Sequence, residues 1–205
     1  MIRTLLIVFS IFLAGCKATS GTVTRIDDGT SAPSTLSVCS GFGCKFREHF
    51  TISAKERAHL RSIMAQGSVS PDAERRAIRR ATALMERLAQ RKLGFAADAP
   101  LSHQRHAKQR GQMDCYDESQ NTRTYLDWLQ SAGMIRHHKS LRKIAQRGYL
   151  LDGRYPHKTA LIRETSGKVW AVDSWRGRNG QPPEIIPLSR WKASDRSDFA
   201  YNPSI

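Results

Sequence analysis

Three residues in this sequence have types and spacing suited to covalent chemistry: Cys115, His157 and Asp173. A thiol attacks a carbonyl carbon once a base takes its proton; an imidazole is that base near neutral pH, and a carboxylate orients the imidazole. Cys115 follows Asp114, a helix-capping residue, and opens an amphipathic stretch that Gly133 ends, so a helix is predicted from there to about Ala132. The thiol then sits on the first turn, where unpaired N–H groups and the positive end of the dipole favour a thiolate. Asp114, Asp117 and Glu118 crowd the same turn and oppose that effect, so a cationic partner is required. Cys115 shares one helix stripe with Ser119, Thr122, Leu126 and Leu129, which points it inward.

The partner must come from the segments that follow. His157 to Glu164 and Lys168 to Trp175 are β-rich and flank Thr165-Ser166-Gly167. With Gly167 in the left-handed position after a type I turn, Glu164 pairs with Lys168, Thr159 faces Asp173 and His157 faces Trp175. His157 and Asp173 become diagonal neighbours, roughly 7–8 Å apart at the backbone and close enough for a carboxylate to accept from an imidazole N–H. A two-residue turn would throw Asp173 onto the other face. Trp175 either walls the cleft or packs; Tyr116 is expected to pack.

These segments carry a family resemblance. Gln112-Met-Asp-Cys115 before a helix, His157-Lys-Thr-Ala-Leu-Ile, and Trp170-Ala-Val-Asp173-Ser-Trp175 resemble the Cys, His and Asp segments of the transglutaminase-like branch of the papain-like cysteine peptidase superfamily. The match covers about residues 112 to 175. It implies a helix-plus-antiparallel-sheet core and acyl transfer through a thioester, in a family of peptidases, amidases, transglutaminases and inactive relatives. The sequence departs in having no obvious Trp or Gln beside Cys115; Gln112 or the Cys115 N–H is left to stabilise an oxyanion. An NlpC/P60-type cell-wall peptidase also starts from Asp-Cys before a helix, but its Pro-Gly-Asp-Leu segment is missing here.

The positioning elements follow from local signals. Ser53-Ala-Lys-Glu56 is a capping box that opens a helix over 54–66, and Ser70-Pro71 opens a second, with Gly94 as its stop. The second helix has an apolar stripe, while Arg75, Arg76, Arg79 and Arg80 lie on the opposite face, as a solvated surface or as a seat for an anionic partner. Residues 95–113 read as loop, 184–188 as an edge strand and 189–192 as a last turn. Helices first and strands afterwards predict an α+β class: N-terminal helices, then a nucleophile-bearing helix packed on a small antiparallel sheet. The catalytic domain is placed at residues 39–205, with its core at about 112–192.

The N-terminus sets the expected address. Arg3 and the apolar run Leu5 to Leu13 form a signal peptide too short to span a bilayer, and Leu13-Ala14-Gly15-Cys16 resembles the lipobox of bacterial lipoproteins. That resemblance implies cleavage after residue 15, lipidation of Cys16, a tether over 16–38, and an outer-membrane site facing the periplasm in a Gram-negative cell. Apart from this run the chain has no long apolar segment, and its 40% hydrophobic content, four Trp and seven Phe exclude a disordered chain. The net charge of +15 suits anionic surfaces. The exported address turns it toward envelope polymer, peptide or cell-wall substrate rather than nucleic acid. In that oxidising setting Cys39 and Cys44, closing a glycine-rich loop, are expected to form a disulfide, which isolates Cys115. His103, His106, His137 and His138 lack the spacing of a metal site, so neither metal nor cofactor is expected. Three functions remain: a lipid-anchored cysteine hydrolase or acyltransferase, an NlpC/P60-type cell-wall peptidase, or a non-catalytic envelope lipoprotein that binds anionic polymer through the basic helix.

Overall fold

In the computed structural model, the described residues are 32–96, 98, 100–101, 104–149 and 156–194. The signal peptide, Cys16 and His103 lie outside them. Among the described residues no helix is long and apolar enough to cross a membrane.

The described fold opens with a hairpin of β1 (Thr35–Ser40) and β2 (Phe46–Thr51), paired antiparallel with Ser40 opposite Phe46. The tether expected over 16–38 is therefore corrected at its end: Leu36 and Val38 are core residues, because alternation along β1 turns them toward the helices. Then come α1 (Ala54–Ala65) and α2 (Pro71–Leu93). The Ser53 capping box is formed in both directions, and α2 has Ser70 as its cap and Pro71 in its first turn. Ala77, Ile78, Ala81, Met85 and Leu88 of α2 are buried, and the small alanines let α2 approach its neighbours closely.

Helix α3 (Cys115–Ser131) lies against a five-stranded antiparallel sheet made of β3 (His138–Ser140), β4 (Ala145–Arg147), β5 (His157–Glu164), β6 (Val169–Asp173) and β7 (Glu184–Pro187). The order is β3-β5-β6-β7, with β4 also pairing on β5, opposite its first residues. A short α4 (Leu188–Ala193) ends the described chain. The class is α+β. Cys115, Ser119, Thr122, Leu126 and Leu129 of α3 are all buried.

The basic face of α2 is partly engaged within the fold. Arg75 Nη1 donates to Glu164 Oε2 at 2.7 Å, with its guanidinium 3.7 Å from the Trp170 ring centre, and Arg79 Nε donates to the Pro183 carbonyl at 2.8 Å. Arg76 pairs with Asp72 and Arg80 with Gln66. Arg75 and Arg79 thus tie α2 to the segments around the sheet, while Arg76, Arg79 and Arg80 stay exposed. Beside them the buried Glu74 carboxylate accepts from the backbone N–H groups of Arg136 and His137 and from His138 Nδ1 at 2.6, 2.8 and 2.7 Å. Burial alone would raise its pKa, but the His138 hydrogen bond and the two N–H groups hold it below the usual carboxylate value.

Three donors thus depend on one buried acceptor. Glu74→Ala is expected to lower the unfolding free energy by about 3 kcal/mol or more, and Glu74→Gln by clearly less, because unpaired buried donors carry their full desolvation penalty. Urea unfolding followed by circular dichroism measures both.

Candidate active site

The β5–β6 hairpin sets the site. Gly167 has a φ of +89°, its N–H donates to the Glu164 carbonyl at 2.8 Å, and the Glu164 N–H donates to the Lys168 carbonyl at 2.8 Å. This is a three-residue loop that needs a left-handed residue, which glycine supplies without strain. Ala160 pairs with Val172 and Ile162 with Trp170, the register expected from that loop. His157 and Asp173 consequently share a face, and His157 Nε2 lies 2.6 Å from Asp173 Oδ2, both side chains buried. With an ionised Asp173, Nε2 is the protonated nitrogen and the lone pair sits on Nδ1.

The hydrogen bond is enclosed by tryptophans. The Trp175 ring centre is 4.8 Å and that of Trp191 5.4 Å from the imidazole. Trp191 Nε1 donates to Asp173 Oδ2 at 2.7 Å, so one carboxylate oxygen accepts from both the imidazole and the indole. Arg147, opposite His157 in the β4–β5 register, stacks on Trp191 at 4.8 Å and donates to its carbonyl at 2.9 Å. Trp175 is a wall of the site. Trp191 escaped the sequence reading, which placed it in a last turn; the available signal was that a buried indole needs an acceptor for its N–H.

Cys115 enters from α3. Asp114 caps the helix by accepting from the Asp117 N–H at 2.8 Å, and the thiol is 3.9 Å from the Pro156 carbonyl, one residue before His157. Burial pushes the thiol up to about 11; the Lys158 backbone N–H opposes this, while Asp114 and Asp173 add to it. The thiolate favoured by the helix terminus is thus overridden, and the resting group is the neutral thiol. Lys158 extends its ammonium over the Tyr116 ring at 4.6 Å. Gln112 is buried before the helix, and its carbonyl accepts from the Gly41 N–H at 2.6 Å.

A polar layer ties α3 to the end of β6. Thr122 Oγ1 and Ser174 Oγ are 2.8 Å apart, and Ser174 Oγ donates to Glu118 Oε2 at 3.0 Å, which holds the residue after Asp173 to the Cys115 helix. Glu118 and Glu86 are both buried, and Glu86 Oε2 accepts from the Gly180 N–H at 2.8 Å. Burial pushes Glu86 up to about 8 and Glu118 well above the usual range; Asp98 raises both, and Glu86 raises Glu118 further. His137 and His138 do not converge on a metal position: His137 Nε2 donates to the Ser68 carbonyl at 2.9 Å, and His138 belongs to the Glu74 cluster.

No protein-family model, curated protein or solved structure matches this chain.

Glu86 gives a pH prediction. Its folded pKa of about 8 lies above its ordinary 4.5, so the unfolded chain releases the proton first as the pH rises. The stability tied to the protonated form is complete below 4.5 and is lost as the pH climbs toward 8. Glu86→Gln is expected to flatten the fall in melting temperature between pH 5 and pH 8.5, measured by scanning calorimetry.

Proposed function

We propose that this chain is a cysteine-dependent hydrolase or acyltransferase acting on an amide or ester bond, with Cys115 as nucleophile, His157 as base and Asp173 as orienter. The observation that carries this reading is the buried 2.6 Å contact of His157 Nε2 with Asp173 Oδ2, with the Cys115 thiol 3.9 Å from the carbonyl of Pro156, the residue before His157. A carboxylate on Nε2 fixes the tautomer that leaves Nδ1 basic, and it stabilises the imidazolium formed when the thiol proton arrives. The resemblance to the transglutaminase-like branch of the papain-like superfamily agrees with this order of nucleophile, base and orienter. The papain-like core and the envelope lipoprotein address belong to the same proposal.

A neutral thiol fixes the order of events. Sγ attacks the carbonyl carbon while its proton passes to His157 Nδ1. The tetrahedral oxyanion collapses, the imidazolium returns the proton to the leaving amine or alkoxide, and a thioester remains on Cys115. Water or an amine attacks the thioester, His157 takes the proton of the incoming nucleophile, and the thiol is regenerated as the acyl group leaves. The Cys115 backbone N–H and Gln112 are the oxyanion donors in this scheme. General-base catalysis contributes about 10²–10⁴-fold.

The enclosed, high-pKa thiol also favours a second reading, a non-catalytic envelope lipoprotein that keeps this arrangement as packing. One experiment separates the two. The protein is mixed with p-nitrophenyl acetate, p-nitrophenol release is followed, and the acylated residue is located by peptide mass. The enzyme reading expects a burst with the acetyl group on Cys115, absent in Cys115→Ser and about 10²-fold or more slower in His157→Ala, with Asp173→Asn between. Acetylation of Cys115 at equal rates in wild type and His157→Ala, or none at all, supports the non-catalytic reading.

The address has its own test. In a bacterial host, Cys16→Ser is expected to remove radiolabelled palmitate incorporation and move the protein from the membrane pellet to the soluble fraction; unchanged fractionation overturns the lipid anchor.

A further inference from the structure

The loop that joins β1 to β2 is built against the nucleophile's helix. Gly41, Phe42, Gly43 and Cys44 have φ values of +85°, +69°, +64° and +60°, a left-handed run that includes two residues with side chains. Such a run is unfavourable for Phe42 and Cys44 and persists only where surrounding contacts impose it. It also aims successive N–H groups at one side, as anion-binding nests do. Here the acceptors are side-chain carboxyls at the start of α3: Phe42 N–H donates to Asp117 Oδ2 at 2.8 Å, Cys44 N–H to Asp117 Oδ1 at 2.5 Å and Gly43 N–H to the capping Asp114 Oδ2 at 3.1 Å. Asn121, also on α3, accepts from the Cys39 N–H at 2.7 Å and donates to the Cys39 carbonyl at 2.9 Å, and the Gly41 N–H reaches the Gln112 carbonyl. The Cys39–Cys44 disulfide closes this loop.

We propose that the Cys39–Cys44 disulfide is a redox switch on Cys115: oxidised, it locks the 41–44 loop onto Asp114 and Asp117; reduced, it frees the loop and lowers Cys115 reactivity. The inference rests on the reading of Cys115 as the nucleophile and names how that site is regulated. The reaction is a two-electron exchange in which a dithiol delivers two electrons and two protons to the disulfide, leaving two thiols on the protein and a disulfide on the donor. Without the cross-link, the left-handed residues relax and their three N–H groups leave the carboxylates. The charge of Asp114, the residue before Cys115, then loses the Gly43 N–H that offsets it, and a thiol next to an unscreened carboxylate gives up its proton less readily. The hold of Gly41 on Gln112 goes at the same time, loosening the segment that leads into the nucleophile. The arrangement makes the thiol competent only where disulfides persist, which is the exported setting expected from the N-terminal sequence.

The test uses the full chain in three states: oxidised wild type, wild type reduced with a phosphine that is removed before assay, and Cys39→Ala/Cys44→Ala. Cys115 alkylation by iodoacetamide at pH 7.5 is located by peptide mass, and hydrogen exchange is measured for residues 112–118, with the β5–β6 amides as an internal control of folding. The expected result is about tenfold slower Cys115 alkylation in both unbridged states, as for a tenfold smaller thiolate fraction, with faster exchange at 112–118, unchanged β5–β6 exchange, and recovery on reoxidation. Equal alkylation and equal exchange at 112–118 across the three states overturn the switch. Loss of β5–β6 protection in both unbridged states overturns it as well, since the disulfide is then holding the whole fold. If Cys115 forms no acyl adduct even when oxidised while 112–118 still opens reversibly on reduction, the coupling stands and the catalytic reading fails.

Discussion

The site depends on one constraint, the register of β5 against β6. Side chains alternate with a period of two, so a slip of one residue would send Asp173 to the opposite face and leave His157 buried without its carboxylate. Gly167 prevents the slip, because its positive φ closes a three-residue loop that fixes Glu164 opposite Lys168. The rest of the site is arranged around that pairing. Trp191 adds a second donor to Asp173, Arg147 braces Trp191, and Ser174 links the end of β6 to Thr122 and Glu118 on the Cys115 helix.

Charge is handled in two distinct ways in this strongly basic chain. On the α2 side, buried and half-buried charges are matched: Glu74 has three donors, and Arg75 has both Glu164 and the Trp170 ring. Around the start of α3 and the end of α2, acids accumulate. Glu86, Asp98, Asp117 and Glu118 are buried near one another, and burial raises three of them. The proton is the economical counter-ion in such a cluster. Cys115 belongs to this second region, and its thiol is pushed the same way as the carboxyls.

That placement bears on the chemistry. With the thiol held neutral, the proposed attack requires the imidazole to act as a base in the transition state rather than as the cationic half of a resting ion pair. The buried, doubly donated Asp173 suits that task, since the charge that appears on His157 needs an acceptor already in place. The loop closed by Cys39 and Cys44 meets the start of the same helix, where its N–H groups donate to Asp117 and Asp114.

Much of this was legible in the chain itself, for a physical reason: short-range rules govern caps, turns and alternation. Ser53, Ser70 and Asp114 mark their helix starts, Gly167 sets the hairpin, and period-two alternation from that turn puts His157 and Asp173 together. What the sequence could not determine depends on contacts between residues far apart. Leu36 and Val38 read as tether because a short alternating strand is recognisable only beside the helices that bury it. Arg75 and Arg79 read as a free charged face because their acceptors, Glu164 and the Pro183 carbonyl, lie far along the chain. Trp191 read as a terminal turn because its role is to cap a carboxylate on another strand. The thiol's proton was decided last of all: the local dipole and the local acids pull in opposite directions, and burial, which only the tertiary structure creates, settled the balance toward the neutral form.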